Sequence, residues 1–172
     1  LVMSDHGESL GAHGEAMHGI FLYDETIHVP LLFKLPGTVL AGRRVSSRVR
    51  LVDVAPTLLS MLSLPLPPTF QGESLVPLMK ASAKTATADL PAYSETDYPH
   101  RAFGWSAVRS LRDGKYLFVR APKAELYDES QDKNDQRNVA QSSPAVADTL
   151  LAKLIDFREK TSSYKGDKPE QP

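Results

Sequence analysis

The sequence predicts an α/β fold in two parts. The C-terminal portion of a mixed core comes first, and a small antiparallel sheet closed by a C-terminal helix follows. Three observations predict it. The apolar run Leu1-Val2-Met3 leads straight into Ser4-Asp5-His6-Gly7, the pattern of a buried strand that ends on polar residues. Arg112-Asp113-Gly114 separates two apolar runs, 106–111 and 115–120, which is a hairpin signal. After Ser143-Pro144, the residues Val146, Leu150, Leu154 and Phe157 recur at helical spacing.

The elements follow in order. Residues 1–4 read as the end of a core strand, and an opening inside a core strand is expected of the C-terminal piece of a longer protein. Residues 5–19 carry Gly7, Gly11, Gly14 and Gly19 among charged groups, which is loop chemistry. Residues 20–27 suit a short helix with Phe21, Leu22 and Ile27 inward. Residues 29–35 form a continuous apolar strand that starts on Pro30, where no ladder donor is lost, and ends at Pro36-Gly37. Arg43, Arg44, Arg48 and Arg50 give a solvated stretch. Asp53 is placed to cap a helix, with Pro56 in its first turn and Val54, Leu58, Leu59 and Leu62 on one face.

Gln71-Gly72-Glu73-Ser74-Leu75 turns into a short helix ending near Lys80. Residues 81–90 are small and polar and serve as a linker between a first part, 1–80, and a second, 91–160. The second part holds a strand at 91–95, a loop at 98–105 rich in aromatics and cations, the hairpin, a strand at 125–128 and the helix. Residues 161–172 are polar and expected to be a disordered tail.

Composition excludes several classes. The chain has 172 residues, 41% hydrophobic and 24% charged, with a formal net charge of −1. Such a balance gives no basic footprint for nucleic acid. No apolar run is long enough for a membrane span. There is no cysteine, hence no disulfide and no thiol nucleophile in this chain.

The chemistry lies near the beginning. Asp5 and His6 offer a carboxylate and an imidazole at a strand's carboxyl end, where sites form in open α/β sheets. Both are competent ligands for a divalent metal. His13 and His18 follow in the glycine-rich loop. A metal would neutralise an anionic ester, and a nearby imidazolium could stabilise charge or protonate a leaving oxygen. Glu8 and Glu15 read equally as acceptors for ligand imidazoles and as solvated loop charges. His28 reads as structural, and Lys34 as a stem reaching past a sheet edge.

Ser4-Asp5-His6-Gly7-Glu8-Ser9-Leu10-Gly11, with His13-Gly14-Glu15, His18-Gly19 and Leu22-Tyr23-Asp24, resembles the sulfatase family of the alkaline-phosphatase superfamily. Asp53-Val54-Ala55-Pro56-Thr57, Gln71-Gly72-Glu73-Ser74-Leu75, Arg112-Asp113-Gly114-Lys115-Tyr116 and Glu125-Leu126-Tyr127-Asp128 with Asp132 and Arg137-Asn138-Val139-Ala140 match in the same order. The resemblance implies an alkaline-phosphatase-like core and hydrolysis of a sulfuric ester by the full-length protein. It implies Asp5 and His6 as metal ligands, the second position being Asn or His in the family. It implies His18 as the catalytic cation on the sulfate group, and His13 as a second substrate-binding residue or a holder of the loop. The metal implied is Ca²⁺, with Zn²⁺ or Mg²⁺ as alternatives.

The nucleophile implied is a formylglycine made from a Cys or Ser in a Cys/Ser-x-Pro-x-Arg motif. That motif is absent from this chain, so the chain alone is expected to be inactive and to need the missing N-terminal part as partner. The implied substrate is a sulfated small molecule or saccharide, and the implied compartment periplasmic or secreted. In the family, residues 98–105 would lie near the cleft mouth; packing between the two parts is the other reading of Trp105. Two alternatives stand beside the sulfatase: a phosphoethanolamine transferase or other phosphoryl-transfer member of the superfamily, and a non-catalytic sulfatase-like binding module.

Overall fold

The computed structural model describes residues 1–37, 40–80 and 89–162. Most of the linker, 81–88, and most of the tail, 163–172, lie outside the described residues. Strand β1 (Val2–Met3) pairs antiparallel with β2 (Leu31–Leu32) in a two-stranded sheet. Strands β3 (Ala92–Thr96), β4 (Val108–Asp113), β5 (Tyr116–Arg120) and β6 (Ala124–Asp128) form an antiparallel sheet in sequence order. The helices are α1 (Asp24–Ile27), α2 (Val54–Met61), α3 (Val76–Lys80), α4 (Tyr98–Phe103) and α5 (Pro144–Ser162).

The antiparallel sheet carries the core on both faces, as alternation along its strands dictates. On one face Leu111, Phe118 and Leu126 pack against Ala147, Leu150 and Leu154 of α5. On the other, Val108, Leu117, Val119 and Tyr127 bury Leu22, with Tyr23 and Ile27 beside it. That second face joins the sheet to the segment that follows His18. The hairpin forms one residue later than the Asp113-Gly114 signal suggested. Asp113 is already paired with Tyr116, and Gly114 opens the two-residue loop at φ +55°.

The matched motifs prove to be backbone clamps. Asp53 is fully buried, yet it does not cap α2. Its carboxylate accepts from the Arg50 N–H, Nε and Nη2 and from the Glu73 N–H, all within 3.0 Å. Burial pushes this carboxyl up, but the Arg50 and Glu73 donors outweigh it and hold the group below its ordinary value. Thr57 Oγ1 accepts the Leu75 N–H at 2.9 Å. Gly72 is required between them, because a Cβ there would stand 2.0 Å from the Val52 carbonyl oxygen. At the far end Asn138 Oδ1 accepts from the Leu126 and Ala140 N–H groups, and Asp132 accepts from those of Gln136 and Arg137.

Several expectations are corrected. Strand β1 is exposed, with Val2 64% accessible, because no layer of the described residues covers that sheet. The strand at 29–35 shrinks to Leu31–Leu32, and the helix at 20–27 to Asp24–Ile27. Of the expected α2 face Val54 is buried, but Leu58 and Leu62 stand open, and Pro56 and Thr57 are buried in their place. Residues 98–103 are helical where a loop was expected. Pro99 in the first turn and left-handed Gly104 after the last are the signals that produce it. Trp105 is 58% exposed and does not pack between the two parts. Arg48 and Arg50 are not free in solvent. Arg48 donates to the Gly114 carbonyl at 2.7 Å and Arg50 grips Asp53. Helix α5 runs to Ser162 and takes in the first two residues of the expected tail.

Candidate functional site

Asp5 and His6 leave the end of β1 and turn back at Gly7. The turn brings the backbone so close to α1 that a Cβ on Gly7 would stand 2.0 Å from the Glu25 carbonyl oxygen. The Gly7 N–H donates to the Thr26 carbonyl at 2.9 Å, fixing the approach. Beyond it, Leu10, Gly11, His13 and Gly14 all adopt positive φ in a tight coil. Such angles are strained for Leu10 and His13 and persist only where surrounding contacts hold them.

Side chains of Ser9 and Glu15 help to hold this coil. Ser9 Oγ donates to the Ala12 carbonyl at 2.8 Å. Glu15, only 3% exposed, accepts the Ile20 and Phe21 N–H groups at 2.7 and 3.3 Å. Glu15 is therefore neither an acceptor for a ligand imidazole nor a solvated charge. It is a brace for the chain after His18.

The coil brings His18 back onto His6, with ring centroids 3.8 Å apart and planes at 27°. Glu8 Oε2 accepts from His18 Nδ1 at 3.2 Å, which leaves Nε2 of His18 as the outward atom. His6 Nδ1 donates to the Gly7 carbonyl at 2.9 Å, so in the neutral ring the lone pair sits on Nε2. That Nε2 lies 3.8 Å from Asp5 Oδ2. Asp5 is 86% exposed and His6 46%, so both donors are open to a ligand.

Asp5, His6, Glu8 and His18 are thus brought together. His13 is not among them. Its ring stacks on Tyr23 at 3.8 Å, and its Nε2 donates to the Asn134 carbonyl at 3.1 Å and faces Glu25 at 3.7 Å. These are the contacts of a loop anchor. Exposed His28 bonds to Asp24 at 3.3 Å, and Lys34 donates to the Leu35 and Gly37 carbonyls.

An Asp5 carboxylate and a free His6 Nε2 fit a divalent metal as two donors of mixed oxygen and nitrogen type. Among the described residues no third His, Cys, Asp or Glu completes a metal-binding group.

Behind this cluster lies a charged network that the sequence did not reveal. Arg112 bridges Asp24 of α1, at 2.6 Å, and Glu129. Asp135 Oδ2 accepts the Asp24 N–H at 3.0 Å. Asp135 is 1% exposed, and its burial, with the Asp24 and Glu25 charges near, pushes its carboxyl up to about 6 despite that hydrogen bond and Arg112. Burial also raises Glu129. The hydroxyls of Tyr23 and Tyr127 both donate to Glu125 Oε2 at 2.9 Å, and burial beside that carboxylate raises both phenols. These contacts tie the segment after His18 to the sheet. The contacts that reach Tyr23 and Asp24 span 88 to 111 residues of sequence, so no local pattern could announce them.

The family model described as N-sulphoglucosamine sulphohydrolase, C-terminal, matches residues 11–160. Arylsulfatase K of Homo sapiens is 31% identical over 167 residues, covering 90% of this chain and 30% of its own length. A putative sulfatase, yidJ, from Bacteroides fragilis superposes at a TM-score of 0.75 and is 26% identical, covering 93% of this chain and 35% of its own. The phosphonate monoester hydrolase of Agrobacterium radiobacter superposes at 0.73 with 27% identity, covering 92% and 34%. The chain thus spans about a third of the length of the proteins it resembles. No described helix is long and apolar enough to cross a membrane. The fold around Asp5, His6 and His18 is accordingly alkaline-phosphatase-like, and the chain belongs to the N-sulphoglucosamine sulphohydrolase C-terminal family of sulfatases.

Proposed function

We propose that the full-length protein bearing this chain is a metal-dependent sulfuric ester hydrolase, and that residues 1–80 complete its active site. The observation that carries the reading is the outward convergence of Asp5, His6 and His18 at the end of β1. Asp5 and His6 would hold a divalent cation, which neutralises the ester's charge when bound. Family resemblance favours Ca²⁺. An imidazole donor is unusual for calcium, which takes oxygen ligands, and suits zinc better, so metal analysis decides.

His18 faces the anion with Nε2 while Glu8 holds Nδ1–H, fixing its orientation. A protonated His18 donates to the developing negative charge on the leaving oxygen. The nucleophile, a formylglycine by resemblance, belongs to the part of the protein outside this chain. The substrate we propose is a sulfated saccharide, in line with the sulphoglucosamine named in the family description. We place the enzyme in a periplasmic or secreted compartment. The open apolar surface of β1, β2 and α2 is the face we assign to the remainder of the polypeptide.

A phosphoryl-transfer role is the second reading, supported by the likeness to a phosphonate monoester hydrolase at 27% identity. Steady-state kinetics of the full-length protein with paired sulfate, phosphate and phosphonate esters tests both. Highest kcat/KM on the sulfate ester supports the proposal. Highest kcat/KM on a phosphorus ester replaces it with the second reading. Ligand binding without turnover of any ester makes the protein a binding module.

A further inference from the structure

Helix α4 stands directly against the segment that leaves His18. Thr96 Oγ1 donates to the Gly19 carbonyl at 2.6 Å and accepts the Tyr98 N–H at 3.2 Å. The Tyr98 ring lies 3.7 Å from where a Cβ on Gly19 would sit, an ordinary contact distance, and it is the φ of +102° at Gly19 that calls for glycine. From this clamp three neighbouring rings run outward. Tyr98 meets Phe103 edge-on at 5.9 Å, and Phe103 meets Trp105 at 4.9 Å with planes 35° apart. All three are half open to solvent, at 52%, 50% and 58% exposure. Contiguous exposed apolar surface of this kind marks a contact site.

The backbone that carries Trp105 is held in place. The Trp105 backbone N–H donates to the Pro99 carbonyl at 3.2 Å, and the Trp105 carbonyl accepts from His100 Nδ1 at 3.0 Å. A side chain on a fixed backbone has less freedom to lose on binding. Pro99 and Trp105 line a cleft of about 180 Å³ together with Ile20, Phe21 and Tyr23, the residues just after His18 and Gly19. Charge on α4 is positive. Arg109 pairs with Glu95 at 3.5 Å and Asp97 at 3.6 Å, whereas Arg101, one turn from Tyr98, has no ion pair among the described residues.

We infer that Tyr98, Phe103 and Trp105, with Arg101, form the surface that grips the sugar ring of a sulfated saccharide whose ester lies at Asp5, His6 and His18. This rests on the sulfatase reading above. A pyranose presents a C–H face that packs on an aromatic ring, and further anionic substituents meet the arginine. The surface continues from the catalytic loop through the Gly19 contact, and that continuity favours substrate over another chain as its occupant.

The test is steady-state kinetics of the full-length enzyme on 4-nitrophenyl sulfate and on a panel of sulfated mono- and disaccharides. Trp105→Ala should raise KM for the best saccharide about ten-fold, the cost of losing one good aromatic contact, with kcat and the 4-nitrophenyl sulfate parameters within about two-fold of the parent. Trp105→Phe should restore most of the loss. Trp105→Gln, a polar change at an exposed position, repeats the test if the alanine variant folds poorly.

Unchanged saccharide KM overturns the inference, as does an equal loss on both esters. A variant that loses thermal stability with no change of KM assigns the rings to contact with the rest of the polypeptide and also overturns it. Turnover of 4-nitrophenyl sulfate with none of any saccharide removes the sugar as occupant. No turnover of any sulfate ester by the parent enzyme removes the sulfatase reading itself.

Discussion

Asp135→Asn isolates one buried carboxyl that holds the segment after His18 through the Asp24 N–H. In the parent chain Asp135 is 1% exposed, accepts the Asp24 N–H, and ionises near pH 6. An unfolded aspartate ionises near 3.9. The folded value is the higher one, so the native state binds the proton more tightly between the two. Stability owed to this group is therefore greatest at or below pH 4 and is lost as pH rises through 6.

Integrating the proton difference between pH 4.5 and 7.5 gives a loss of about 2 kcal/mol. Asparagine keeps an oxygen for the Asp24 N–H but does not titrate. Urea melts of parent and variant at the two pH values should show the variant gaining about 2 kcal/mol on the parent from pH 4.5 to 7.5. A constant difference across that range, or a gain for the parent at pH 7.5, refutes the reasoning.

Asp53 should behave in the opposite sense. Asp53→Asn strands the half-buried Arg50 and should cost about 3 kcal/mol in urea melts, at the low end for a broken buried pair. The parent should lose the stability owed to Asp53 only as pH falls below about 4, because its folded value is depressed. His18→Ala in the full-length enzyme should lower kcat by roughly 10²–10⁴-fold while metal content, read by atomic emission, stays near normal. The 172-residue chain alone should show no sulfatase activity above background, since it carries neither a cysteine nor a Ser-x-Pro-x-Arg motif from which the proposed formylglycine could be made.

Much of the second part was legible because its signals are local. The Asp113-Gly114 turn, the alternation along β4 to β6 and the helical spacing of Leu150 and Leu154 each report on neighbours within a few residues. The first part was harder. Leu1-Val2-Met3, Leu58 and Leu62 carry core composition, yet among the described residues nothing covers them. Asp53 looked like a cap because caps and buried acceptors use the same residue types. Only the fold shows that its donors come from Arg50 and Glu73.

At the site, the adjacency of Asp5 and His6 could be read directly. The return of His18 onto His6 depends on Gly11, His13 and Gly14 at positive φ, and the bracing by Glu15 is invisible to any periodicity. His13 and His18 look alike in sequence and part company in space. One is drawn to Tyr23 and Asn134, the other to Glu8. The aromatic residues at 98–105 are visible as a cluster in the sequence, but the helix that carries Tyr98 and Phe103 is set by Pro99 in its first turn and Gly104 after its last.

The central claim is that Asp5 and His6 hold the metal of a sulfate ester hydrolase. The most direct measurement is metal content and 4-nitrophenyl sulfate turnover of the purified full-length protein and its Asp5→Ala variant, side by side. The account predicts a bound divalent metal in the parent, and loss of both metal and turnover in the variant. Full activity with unchanged metal content in Asp5→Ala would contradict it.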